Sequence, residues 1–238
     1  MLSSGRSEAA LEAALPAPIE IKPMRSARRL RLRFDEASGT LKLTCPWRTS
    51  RRSALKWALD QREWIETQLA RAGTPEPFAD GATIPIEGRE VLIRWSEKAR
   101  RTPVLVDDEL LCGGPIGGLA RRVEQYLKRR ALDVMSTEAA EYAAAAGVTV
   151  SSVSVGDAGS RWGSCSSRGR IRLSWRLILA PPEVRRYVVA HEVAHLRHLN
   201  HGAEFKALEA RLFGAGLAQA KSELKRMGPR LRLIGPRR

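Results

Sequence analysis

Three histidines and a glutamate are spaced to act at a single point: His191-Glu192-Val193-Ala194-His195, with His201 six residues beyond. On an α-helix, residues four apart share a face about one turn from each other, so His191 and His195 can direct ring nitrogens at one tetrahedral ion. Glu192, next to the first of them, is placed to lean over an open coordination position and take a proton from water there. The chemistry this group could perform is metal-assisted hydrolysis, in which the ion acidifies the water and the carboxylate makes it a nucleophile.

Two residues compete for the third ligand position. At 100° per residue, His198 falls roughly 20° from His191 on a continuous helix, while His201 falls roughly 80° away and farther along the axis. A straight helix therefore favours His198. However, His195 and His198 at i, i+3 would crowd one end of the site, and Asn200 and Gly202 tolerate a left-handed C-terminal turn. A helix ending near Asn200 lets the chain swing His201 back, so His201 is expected as the ligand, with His198 supporting it or on the surface. The competing account is a solvated helix face that carries the pattern by accident. With four histidines in 238 residues, chance gives His-Glu-x-x-His in roughly half a percent of such chains. All four histidines fall between 191 and 201, bracketed by Val184, Val188, Val189, Val193, Leu196 and Leu199, which is the setting of a buried site helix.

Further segments carry a resemblance. They are Ser160-Arg161-Trp162-Gly163-Ser164-Cys165-Ser166, Ile171-Arg172-Leu173-Ser174-Trp175-Arg176-Leu177, Ala180-Pro181-Pro182-Glu183, the stretch from Tyr187 to Leu196, and Asn200-His201. With them the chain resembles the YgjP-like metal-dependent hydrolases, relatives of SprT-type and other zincin peptidases. The likeness reaches Arg25-Ser26-Ala27-Arg28-Arg29 and Thr44-Cys45-Pro46 and covers most of residues 21 to 212. It implies Zn²⁺ as cofactor, His191, His195 and His201 as ligands and Glu192 as catalytic base. The chain departs from the pattern at Ser174, where asparagine is expected, and at Gly202-Ala203-Glu204-Phe205-Lys206, where a serine and an aromatic pair are expected. These changes fall on the substrate side.

A chain of 238 residues with 43% hydrophobic content can bury a core of one large or two small domains. No run is long and apolar enough to span a bilayer, and the first twenty residues lack an apolar signal core, so no membrane partner and a cytoplasmic location are expected. Cys45, Cys112 and Cys165 form neither a disulfide framework nor a thiolate metal site. The net charge of +15, with seven Arg against Glu183 alone between 161 and 190, raises nucleic-acid association through a basic surface. Arg is scattered along the chain, and net charge alone speaks to non-specific association.

Along the chain, residues 1–20 read as a loose tail with a short helix near Glu8 to Leu15. Residues 21–115 read as a β-rich N-terminal region with one helix, from 50 to 71, whose tryptophans belong to the core. Its strand pairs are 29–34 with 41–45, 82–86 with 91–95 and 104–106 with 110–112. Residues 112–118 read as a linker. Residues 116–226 form the helical catalytic region: a helix from Leu119 to Ala146, a strand from 148 to 155, a hairpin of 161–165 with 170–175, the site helix, and one more helix over 203–226 that is interrupted near Gly214 and Gly216. In the hairpin, Trp162 and Trp175 are expected to pack onto the site helix, and its strand edge lies where an extended peptide could add as a further strand. Residues 227–238 read as a mobile basic tail.

The sequence thus predicts an α+β, zincin-like metallopeptidase fold with a β-rich N-terminal region. The expected substrate is a peptide or protein, with Arg161 a candidate for binding it or steadying the oxyanion. The alternatives are a hydrolase acting on a non-peptide or nucleic-acid-linked substrate, and a basic nucleic-acid-binding module with a structural histidine site.

Overall fold

The computed structural model describes every residue except 1–2, 36–37, 72, 160 and 237–238, so Ser160 and the end of the basic tail lie outside the described residues. The chain forms two compact units, one up to Thr74 and one from Pro75 to Pro236. The boundary at 115/116 drawn from sequence falls inside the second unit. There Ile84, Ile93 and Leu110 share one core with Val123, Leu127 and Val184.

The first unit contains α1 (Ser3–Ala13), β1 (Ile19–Met24), β2 (Arg31–Asp35), β3 (Thr40–Pro46), α2 (Arg51–Asp60) and α3 (Arg62–Arg71). Alternating apolar and basic residues give the expected hairpin of β2 with β3, in which Leu32 faces Leu43 and Phe34 faces Leu41. β1 adds to β3 in parallel. Residues up to 20 are therefore not a loose tail: Leu15, Ala17 and Ile19 are buried with Leu41, Leu43, Leu55 and Ile65. The expected single helix over 50–71 is two helices. Ser50 caps α2 by accepting the Ser53 N–H at 3.1 Å, and Gln61 (φ −94°, ψ 15°) ends it. Trp57 packs against this core, but Trp64 is 39% exposed and does not belong to it.

In the second unit, β4 (Thr83–Ile86), β5 (Arg89–Trp95), β6 (Val104–Val106) and β7 (Glu109–Cys112) form one sheet in the order β4-β5-β7-β6. Both predicted hairpins are present, and the parallel pairing of β5 with β7 joins them. Helix α4 (Leu119–Ala146) ends where its sequence says it should, at Gly147 in the left-handed region. A second sheet, ordered β8-β10-β9, comprises β8 (Ser152–Gly156), β9 (Gly163–Cys165) and β10 (Arg170–Ser174). β8 is shorter than the predicted strand from 148, and β9 lies at the sheet's edge. Trp175 is fully buried, whereas Trp162 packs on the C-terminal helix near Gly228, with the Arg232 guanidinium 4.3 Å from its ring centroid, and lines a cleft with Tyr187, Val188 and Glu192 of the site helix.

The helices that position the site are α5 (Pro182–Ala194), α6 (Ala203–Phe213) and α7 (Leu217–Leu233). Pro182 opens α5 at a position where its missing N–H costs no bond. Val184, Val189 and Val193 are fully buried. The same helix is fixed to α4 by a buried pair in which Arg185 donates to both Glu138 oxygens at 2.9 to 3.2 Å. Glycines 214 and 216, with φ of 81° and 85°, separate α6 from α7, at the interruption that the sequence leads one to expect. The tail predicted to be mobile from 227 is instead mostly helix. Leu231, Leu233 and Ile234 are buried, and Arg176 donates to the carbonyls of Leu231 (3.1 Å), Ile234 and Pro236 while pairing with Asp157 at 2.9 Å. Among the described residues, no helix is long and apolar enough to cross a membrane.

Candidate metal centre

Helix α5 carries His191 and Glu192 within its last turn and ends at Ala194, with His195 as its cap. The expected continuation to Asn200 does not occur. The His195 ring Nδ1–H donates to the His198 carbonyl at 3.1 Å, and Arg197 donates to the Ala146 carbonyl at 3.2 Å. These bonds hold the chain in a tight turn in place of further helix. From that turn the chain doubles back, bringing a ring nitrogen of His201 to within 4.8 Å of those of His191 and His195. His198 points elsewhere, with Nδ1 3.4 Å from Glu204.

Phe205, 1% exposed on α6, supplies the floor of this group. Its ring centroid lies 5.0, 4.5 and 4.8 Å from those of His191, His195 and His201. Beside it on α6, Glu209 accepts a hydrogen bond from His191 Nδ1–H at 2.7 Å and another from Lys221 of α7 at 2.7 Å. Burial works to raise the Glu209 carboxyl, but Lys221 and His191 outweigh it and leave it below the usual range. Sequence reasoning missed Glu209. Its one signal is a glutamate on the inner face of an otherwise apolar helix, aligned with Phe205 at i+4.

The donor set fits a small divalent cation. Protons held on Nδ1 of His191 and His195 leave the Nε2 lone pairs of both rings free. His191 Nε2 and His201 Nε2 stand 3.3 Å apart, close to the ~3.3 Å edge of a tetrahedron of nitrogens bound at 2.0–2.1 Å. Burial also lowers the proton affinity of His195, and the neighbouring imidazoles of His191 and His201 add to the effect, which keeps its lone pair available. We expect Glu209→Gln to weaken zinc affinity by about 10–100-fold, because the His191 ring loses its ionised acceptor. Competition against a chromophoric zinc chelator measures this, and unchanged affinity would show that Glu209 does not position the ring.

Glu192 is 5% exposed and lies between the imidazoles and the edge strand. Burial pushes its carboxyl up to about 7, while the positive charge of Arg161 pulls it down. It fits against β9 because residue 163 is glycine: a Cβ there would stand 2.6 Å from Cγ and 2.7 Å from Cδ of Glu192, and closer still to Oε1. Arg161, Trp162, Gly163, Tyr187, His191 and Glu192 line a common cleft of about 220 Å³. Tyr187 is half-buried beside His191. Cys165 does not bring thiolate chemistry to the site, since burial and the Glu192 charge push its thiol up to about 11.

The edge of β9 is open. Ser174 N–H donates to Trp162 O at 2.7 Å and Ser166 N–H to Arg170 O at 2.9 Å, so the even-numbered backbone groups of β9 face β10. In an antiparallel ladder the peptide groups of Gly163 and Cys165 then point away from the sheet.

An α+β fold that delivers a helix-borne His-Glu-x-x-His, a third imidazole and an adjacent edge strand to one point is zincin-like in architecture. The family described as YgjP-like, metallopeptidase domain, matches residues 28–227. The chain belongs to that family, and its class is that of the metal-dependent hydrolases. Among solved structures, the metallopeptidase zymogen of Pyrococcus abyssi abylysin aligns with 40% of this chain and 95% of its own, at 16% identity and a TM-score of 0.36. Comparison with curated proteins gives no match.

Proposed function

We propose that the chain is a zinc-dependent peptidase in which His191, His195 and His201 hold the ion and Glu192 is the general base. The observation that supports this reading best is the contact of Glu192 with Gly163, on an open strand edge, directly beside three converging imidazoles. A zinc ion held by these nitrogens would supply a Lewis acid that polarises a carbonyl and acidifies water.

The chain's own residues account for the rest. An extended peptide added along β9 exchanges backbone hydrogen bonds with Gly163 and Cys165, which brings a peptide carbonyl alongside Glu192. Glu192 takes the proton from the attacking water and passes it to the leaving amine. Arg161, exposed at the mouth of the same cleft, is set to meet negative charge on the substrate or on the carbonyl oxygen as it develops.

We expect the purified chain to cut an unfolded protein, to stop when zinc is chelated and to resume when zinc is returned. No cleavage at any zinc concentration would sink the peptidase reading. The rival basic binding module draws support from Lys22, Arg31, Arg33 and Lys42 around one concavity of the first unit's sheet. That charge is compensated in part: Lys42 pairs with Asp35 at 3.0 Å and Glu20 at 3.9 Å, and Arg33 pairs with Asp35 at 3.9 Å.

A further inference from the structure

We propose that a cavity on the outer face of the β8-β10-β9 sheet, next to the cleft that holds Glu192, binds a carboxylate of the peptide substrate through Arg172 and Arg161. This inference rests on the peptidase reading and adds a substrate class to it. The cavity measures about 210 Å³ and is lined by Gly156, Arg161, Trp162, Ser164, Arg172 and Ser174, among others. A water's share of liquid volume is roughly 30 Å³, so the space admits a short side chain or a chain end.

Three features point to an anion. First, the guanidinium groups of Arg161 and Arg172 have no hydrogen-bond or ion-pair partner among the described residues, whereas Arg176, Arg185, Arg186 and Arg230 are all paired. Second, Ser174 lines the cavity, and its hydroxyl has no hydrogen-bond partner among the described residues, which leaves it free to donate to a ligand. Third, the sheet is shaped around Arg172. A Cβ at residue 156 would stand 2.5 Å from Nη2 and 2.6 Å from Nε, so glycine at 156 leaves room for the guanidinium to lie along β8. A guanidinium fork with hydroxyls beside it matches a carboxylate, which accepts two parallel N–H bonds.

The cavity also fits the way a peptide would lie. Arg161, Trp162 and Gly163 line both this cavity and the Glu192 cleft, so the two adjoin. Side chains of an added strand alternate between the faces of the sheet. A peptide paired with β9 therefore sends every second side chain to the outer face, where Arg172 stands opposite Ser164. The anion is either an Asp or Glu side chain or the peptide's own C-terminus. A polynucleotide is disfavoured, because the two cations flank one cavity of about 210 Å³ and do not form a continuous track.

The test is fluorescence anisotropy with the full-length chain, treated with EDTA so that nothing is cut. Matched labelled peptides carry Glu or Gln at successive positions and end in a free acid or an amide, and a single-stranded oligonucleotide serves as competitor. We expect one carboxylate to bind at least about tenfold tighter than its amide counterpart. The advantage should be lost in Arg172→Ala and in Gly156→Ala, two changes on different strands. Preference for Glu over Gln assigns a side chain, and preference for acid over amide assigns the C-terminus. No preference, a preference that survives both substitutions, or displacement of the acidic peptide by the oligonucleotide at lower concentration overturns the proposal. Cleavage by the zinc-loaded chain without carboxylate preference refutes this site and leaves the peptidase reading intact. A carboxylate preference in binding with no cleavage does the reverse.

Discussion

Replacing Glu192 with glutamine is expected to lower the rate of peptide hydrolysis by about 10²–10⁴-fold, the range a positioned general base contributes, and to leave zinc content unchanged. Glutamine has nearly the shape of the native side chain, so the fit against Gly163 survives and the three imidazoles are not disturbed. The fold survives as well. Glu192 is 5% exposed, and burial already disfavours its charge, so a neutral amide removes a desolvation cost and adds none. What disappears is the one carboxylate among the described residues that line this cleft. Steady-state kinetics on one peptide, with zinc quantified in the same samples, checks this. Retention of more than a tenth of the wild-type rate would remove Glu192 from the role of base.

Gly163→Ala should lower kcat/KM by about 10²-fold, the loss that a displacement of roughly 1 Å at a reacting group produces. The change adds one methyl group, and the backbone needs no left-handed conformation there. The effect arises because the new Cβ would lie 2.6 and 2.7 Å from Cγ and Cδ of Glu192, so the carboxylate must leave its place. Zinc affinity should hold, since the three atoms nearest this methyl all belong to Glu192. Gly117→Ala is the matched control, because a Cβ there meets nothing within 4 Å. If Gly163→Ala and Gly117→Ala have equal kcat/KM, the close approach of strand and carboxylate does not govern the reaction.

The parts of the fold legible in the sequence are those that local chemistry specifies. Leu119–Ala146 shows its helical period and its terminal Gly147. The β2–β3 hairpin shows alternation around a turn, and Pro182 marks the start of α5. The parallel pairings of β1 with β3, β5 with β7 and β8 with β10 leave no such trace, because their partners are distant in sequence and their register depends on packing. The C-terminus misleads for a related reason. Arg230 to Arg238 read as solvated charge, yet Leu231, Leu233 and Ile234 are buried and Arg176, far away in sequence, binds their carbonyls.

At the site, the spacing of His191, Glu192 and His195 was readable, and so was the return of His201. The cause of that return was not, since neither Gly nor Pro ends α5 at Ala194. Hydrogen bonds from His195 to the His198 carbonyl and from Arg197 to the Ala146 carbonyl end it there. Glu209 was invisible for the same reason: its importance lies in Lys221 and His191, which only the packing of α6 against α7 and α5 brings together.

The central claim is that His191, His195 and His201 form one zinc site that His198 does not share. The most direct measurement is elemental mass spectrometry of zinc in the wild type, His201→Ala and His198→Ala, each purified without added metal and again after zinc is offered. The account predicts about one zinc per wild-type chain, as a single set of three nitrogen ligands with one open position requires, with the ion lost in His201→Ala and kept in His198→Ala. A wild type that stays free of zinc even when zinc is supplied, or a site that survives loss of His201 and fails on loss of His198, would contradict it.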